Sequence, residues 1–117
     1  MAEVLLVEAT DAFTHVAVRG NLDEMGVGEF DLRLPMARRK PAIVDLSRVG
    51  LITSLGIGTL VAVVKSMRQL GLGIVFIIGQ THARKVLEAT AIGTLVPLVA
   101  TREEALRTLD LPDTPIS

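Results

Sequence analysis

Apolar and polar positions along this 117-residue chain change their period several times, and each change predicts an element. Val4–Val7 is a short apolar run, and Phe13–Val18 sets Phe13, His15 and Ala17 against Thr14, Val16 and Val18. Both read as strands, and the short connection at Thr10-Asp11 suggests that they run antiparallel. Ala42–Leu46, opened by Pro41 and closed by Asp45 and Ser47, and Ile74–Ile78, closed by Gly79, are continuous apolar runs. Runs of that kind suit strands buried on both faces. Leu95–Val99 predicts a last strand, placed at a sheet edge by Pro97.

Helical spacing fills the intervals. After a turn signal at Gly20-Asn21, Asp23 can cap a helix that starts near Glu24, carries Met25, Val27, Phe30, Leu32 and Leu34, and is limited by Pro35. A second helix starts at about Ser54, with Ile57, Leu60, Val61, Val64 and Met67 on one face. Its opposite stripe is Leu55, Thr59, Ala62, Ser66 and Gln69, which carries no charge where a solvated face usually has several. Leu70-Gly71 ends it, the glycine being a natural residue just past a helix. Thr81 can cap a third helix with Ala83, Val86, Leu87 and Thr90 inward and Arg84, Lys85 and Glu88 in water. Thr101-Arg102-Glu103-Glu104 is a capping box for a last helix that buries Ala105, Leu106 and Leu109. Pro112 and Pro115 make 112–117 a flexible tail, so 1–111 reads as one domain. From the second strand onward, strands and helices alternate. The prediction is an α/β fold, a mostly parallel mixed sheet of about five strands with about four helices and right-handed crossovers.

Composition narrows the chemistry. Half of the residues are hydrophobic but only 3% are aromatic, so the core is built of Val, Ile, Leu, Ala and Met. A net charge of −1 without a basic cluster argues against a nucleic-acid surface. Cysteine is absent, which excludes disulfides, thiolate metal sites and cysteine nucleophiles and fits a reducing cytosol. The uncharged stretch from Val49 to Val64 falls short of the roughly 20 apolar residues of a membrane span. No basic, apolar leader opens the chain, so a cytoplasmic protein without direct membrane insertion is expected.

The stretch Ile52-Thr53-Ser54-Leu55-Gly56-Ile57-Gly58 stands out, because it puts a hydroxyl where a strand hands over to a helix. Helix N-termini offer unsatisfied N–H groups and about half a positive charge. Nucleophilic catalysis by Ser54 would need a base, and neither His15, inside a strand, nor His82, in the first turn of a helix, is placed to serve. The surrounding residues do not form a Gly-x-Ser-x-Gly elbow. Gly56-Ile57-Gly58 lacks the third small residue of a dinucleotide fingerprint, since Val61 stands there, and no Gly-Lys-Ser/Thr phosphate loop is present. Asp, Glu and His do not gather at metal-ligand spacing. No enzyme, cofactor or metal is expected. A modifiable hydroxyl on a binding surface remains, beside the simpler reading of Ser54 as an ordinary helix cap.

Pro41-Ala42-Ile43-Val44-Asp45-Leu46-Ser47, followed by Ile52-Thr53-Ser54-Leu55-Gly56-Ile57-Gly58, resembles the signature of STAS domains, specifically the bacterial anti-sigma-factor antagonists. Gly20-Asn21-Leu22-Asp23 is similar to that family's Gly-x-Leu-Asp segment. Leu95-Val96-Pro97-Leu98 with Thr101-Arg102-Glu103-Glu104-Ala105-Leu106 resembles its closing strand and helix. The resemblance implies a non-enzymatic regulator of transcription. Its partners would be an anti-sigma factor that is also a serine kinase of the GHKL ATPase type, and a serine phosphatase; a homodimer is also allowed. Carried onto this chain, the phosphate acceptor is Ser54, with Thr53 as second choice, and the partner surface comprises Asp23, Thr53, Ser54, Leu55, Gly56, Thr59 and Ala62. Two positions depart from the family pattern, Thr53 where it has Asp and Leu55 where it has a second hydroxyl. An unphosphorylated STAS scaffold, in a stress-sensing assembly or a membrane-transport accessory complex, is the alternative, and a nucleotide-binding STAS domain a third.

Overall fold

The two continuous apolar runs form the centre of the sheet. In a computed structural model that describes residues 2–22 and 39–111, β3 (Ala42–Ile52) and β4 (Ile74–Ile77) pair in parallel, Ala42 opposite Ile74 and Asp45 opposite Ile77. β4 and the first part of β3, Ala42–Leu46, are buried on both faces apart from a half-buried Asp45, which is why neither run shows the alternation of a half-wet strand. β2 (Thr14–Leu22) lies parallel to β3 on one side, and β5 (Leu98–Val99) lies parallel to β4 on the other. β1 (Ala2–Ala9) pairs antiparallel with β2, as the short Thr10-Asp11 connection predicts. The five-stranded mixed sheet has the order β1-β2-β3-β4-β5.

Four helices occur among the described residues: α1 (Ser54–Gln69), α2 (His82–Glu88), α3 (Ile92–Leu95) and α4 (Arg102–Thr108). The first three cover one face, where Val16, Val44 and Phe76 meet Leu60, Val64, Met67, Leu87 and Ile92. α4 covers part of the other, packing Ala105 and Leu106 on Phe13, Ile43, Val75 and Ile77. The anticipated helix from Glu24 to Leu34, with its cap Asp23, lies outside the described residues, as does the tail 112–117.

Several boundaries differ from the expectation, each for a local reason. β3 does not stop at Leu46 but continues to Ile52, so the stretch before Ser54 is strand rather than loop. The continuation was obscured because β3 carries an extra residue against β2 in two places, between the pairs Ala17–Asp45 and Arg19–Arg48 and again between Gly20–Val49 and Leu22–Ile52. Such bulges disturb the two-residue alternation from which a strand is recognised. Gly20-Asn21 is likewise part of β2, not a turn. Gly20 adopts φ 96°, and the Asn21 Oδ1 accepts the Leu51 N–H at 3.0 Å, replacing a ladder bond at the bulge. Leu95 ends α3 instead of opening a strand. Pro97 restricts the residue before it to extended geometry, and Val96 at φ −141°, ψ 138° terminates the helix and leaves two residues for the edge strand.

Arg84, expected in water, is half-buried instead. Its guanidinium donates to the carbonyls of Ile78 at 2.8 Å and Leu98 at 3.2 Å, satisfying acceptors at the ends of two neighbouring strands. Phe76 is fully buried at the middle of the sheet. Its replacement by Ala should lower unfolding free energy by about 3–5 kcal/mol, as large aromatic truncations in cores do. Urea denaturation of the two proteins measures it, and a loss below about 1 kcal/mol would show that the site collapses around the gap.

Candidate functional site

β3 delivers the chain to α1 with a single residue between them. Thr53 has extended geometry (φ −96°, ψ 172°), and its Oγ1 accepts the Gly56 N–H at 3.4 Å while its carbonyl accepts the Ile57 N–H at 2.9 Å. That is the bonding of an N-cap. The cap is therefore Thr53, and Ser54, expected in that role under the simpler reading, is the first helical residue. The change separates two hydroxyls that look equivalent in sequence. The Thr53 oxygen is committed to the backbone and half-buried. Ser54 is exposed, and its hydroxyl bonds to no group among the described residues.

Among the described residues, those flanking Ser54 on α1 and at the end of β3 are uncharged. Leu55 is 51% exposed and Leu51, near the end of β3, 49%. Gly58 is exposed, with nothing within 4 Å of where a Cβ would stand, and Ala62 lies exposed one turn on. Gly56 instead faces the core, so the two glycines of Gly56-Ile57-Gly58 serve different ends. Thr59 is half-buried and returns its hydroxyl to the Leu55 carbonyl at 3.2 Å. The inward face of α1 is rotated slightly from the expected one. Val63 joins the buried face, Ile57 and Val61 shift to its margins, and Lys65 is exposed on the third turn. No acidic residue occupies the first turn of α1, so the positive end of the helix is not offset there.

The histidines stay apart from this chemistry. Val16 and Val18 point to the face covered by α1, so alternation turns His15 to the opposite face, where it meets Arg102 of α4. His82 opens α2 and is exposed. No group of three or more Asp, Glu or His side chains able to hold a metal occurs among the described residues. Asp23 lies outside them, so its position relative to Ser54 is not described.

The exposed hydroxyl at the start of α1, in a β1-β2-β3-β4-β5 mixed sheet flanked by helices, is the arrangement against which the known proteins compare. The family model described as "Mlab, STAS domain" matches residues 5–107. The chain belongs to the STAS-domain family. Its fold is similar to that of the anti-sigma factor antagonist SpoIIAA in its unphosphorylated form, with a TM-score of 0.71 and 19% identity over 95% of this chain and all of the other. An anti-sigma factor antagonist from Mycobacterium paratuberculosis superposes with a TM-score of 0.75 at 24% identity, covering 94% of this chain and 95% of its own. A candidate antagonist from Thermotoga maritima gives 0.75 at 21% identity, over 88% and 92%. No curated protein sequence matches this STAS domain. At these identities the structures establish a shared fold. No helix among the described residues is long and apolar enough to cross a membrane.

The division between the two hydroxyls is measurable. Thr53→Ala should cost about 0.5–2 kcal/mol through the lost cap, while Ser54→Ala should stay within about 0.5 kcal/mol of the parent, as exposed substitutions do. Chemical denaturation of the two variants checks the order, and equal losses would contradict the assignment of the cap.

Proposed function

We propose that this STAS domain is an anti-sigma-factor antagonist. It binds an anti-sigma factor that is also a serine kinase of the GHKL type, and phosphorylation of Ser54 switches it off until a serine phosphatase restores it. The observation that carries the reading is the exposed Ser54 hydroxyl, unbonded among the described residues, at the positive end of α1 beside exposed Leu51, Leu55 and Ala62. Thr53, the second choice, is the weaker acceptor because its hydroxyl already caps the helix. A phosphate on Ser54 adds about −1.5 to −2 charges. The helix end tolerates that charge and gains about 0.3–1 kcal/mol from it. An apolar partner packed over Leu55 and Ala62 would instead have to bury a dianion, at several kcal/mol. A loss near 4 kcal/mol is about a thousandfold in affinity, enough for release. Thr53, Ser54, Leu55, Gly56, Thr59 and Ala62, with Asp23, make up the proposed docking surface, Gly56 being the buried member.

A second reading has its own support. Thr53 stands where the antagonists' resemblance expects Asp, and the matching family model is described as Mlab rather than as an antagonist. An unphosphorylated scaffold in a stress-sensing assembly or a membrane-transport accessory complex would present the same surface without the switch.

Incubating the full chain with ATP and the kinases encoded near its gene, then mapping the product by mass, tests the first reading. One phosphate on Ser54, lost in Ser54→Ala, is expected. In pull-downs with the same kinases, Ser54→Ala should hold its partner and Ser54→Asp should release it. Absence of phosphate with every cognate kinase, or equal binding by both variants, would favour the scaffold.

A further inference from the structure

On the face of the sheet away from Ser54, the first hairpin and the last helix are joined by a polar cluster that the proposed switch does not use. Arg102, the first residue of α4, pairs with Glu8 of β1, lies 5.4 Å over the Phe13 ring, and places its Nη1 2.7 Å from the Nδ1 of His15. These contacts join residues 87 and 94 positions apart in the chain. His15 is only 5% exposed, and its Nε2 is buried without a hydrogen-bond partner among the described residues.

The chemistry of the pair fixes the proton. An arginine guanidinium has donors and no acceptor and does not lose its proton in proteins. The bond at Nδ1 therefore requires a lone pair on that nitrogen, so the His15 ring is neutral with its single hydrogen on Nε2. Charging the ring would put N–H against N–H and place two cations in contact inside a half-buried cluster. Protonation of His15 and docking of Arg102 exclude each other. We infer that His15 is a proton-operated latch for α4: the neutral ring holds Arg102, and the charged ring expels it, loosening the helix from Phe13, Ile43, Val75 and Ile77.

Among the described residues the charged groups facing the ring are Glu8 from β1, Asp45 from β3 and Arg102 from α4; Val75 and Ile77 of β4 add no charge. Burial is the largest influence on His15 and Arg102 the next, and together they outweigh the two carboxylates, holding the imidazolium pKa below 6.5. The docked state accordingly binds fewer protons than a state with α4 released and His15 in water. Docking is fully supported above about pH 6.5 and weakens as pH falls from there toward the lowered value. Each pH unit inside that window shifts the equilibrium by about tenfold.

Amide hydrogen exchange and ring 15N NMR on the full chain between pH 7.5 and 5 test the latch. At pH 7.5 the His15 Nδ1 should be unprotonated. Below about pH 6.5 protection at Ala105, Leu106 and Leu109 should fall, by at most about tenfold per unit, and level off once pH passes the lowered value, while that at Val44 and Phe76 holds. His15→Asn, whose Oδ1 stands near the place of Nδ1 and does not titrate, should abolish the fall, and Glu8→Gln should retain it. A hydrogen on Nδ1 at pH 7.5, an equal fall in His15→Asn, or its loss in Glu8→Gln would overturn the proposal. Should His15→Asn fail to fold, the wild-type ring titration decides: coincidence with the loss of α4 protection supports the latch, and separation refutes it.

Discussion

The burial of the first part of β3, Ala42–Leu46, on both of its faces is the constraint from which the remaining architecture follows. Ala42, Val44 and Leu46 face the helices α1 to α3, and Ile43 faces α4, so neither face of this strand can be left to water. A strand buried on both sides needs parallel neighbours whose connections cross over the sheet. That requirement sends the chain from Ile52 directly into α1 and returns it at Ile74. Ser54 stands at the carboxyl end of a central strand for the same reason, since crossovers in such sheets begin there and leave helix starts at that rim.

The two hydroxyls at this junction divide the labour. Thr53 closes the first turn of the helix, which frees Ser54 to be the exposed residue. In this chain Thr53 substitutes for the carboxylate that the antagonists' resemblance expects, yet it keeps the ability to accept a backbone N–H. The substitution therefore preserves the cap and removes a negative charge from beside the proposed acceptor. With no acidic residue in the first turn, the helix itself sets no carboxylate against an added phosphate at its positive end.

The opposite face is organised by different physics. Only α4 shields it among the described residues, and a helix of seven residues buries few side chains, mainly Ala105 and Leu106. Isolated helices of that length are not stable in water, so α4 depends on its tertiary contacts. Arg102 supplies a polar anchor at its first residue, held by Glu8, His15 and Phe13 at once. Among the described residues the sheet thus carries a larger apolar contact on the side of α1 and a smaller, charge-assisted one on the side of His15.

Much of this was legible in the sequence. The continuous runs at Ala42 and Ile74, the antiparallel first hairpin, the helix from Ser54 and the caps Thr81 and Thr101 all rest on local patterns of burial, spacing or hydroxyl placement, which neighbouring residues alone set. What tertiary structure decided were features set by residues far apart. The extension of β3 to Ile52 depends on bulges against β2, the half-burial of Arg84 on carbonyls of two strands, and the meeting of Arg102 with His15 on a contact spanning 87 positions. The cap passed from Ser54 to Thr53 because strand geometry reaches Ile52 and leaves one extended residue before the helix. Composition and period specified which segments must be buried; only pairing across the sheet specified where each strand ends and which polar side chains meet, because those choices are made between strands and not within them.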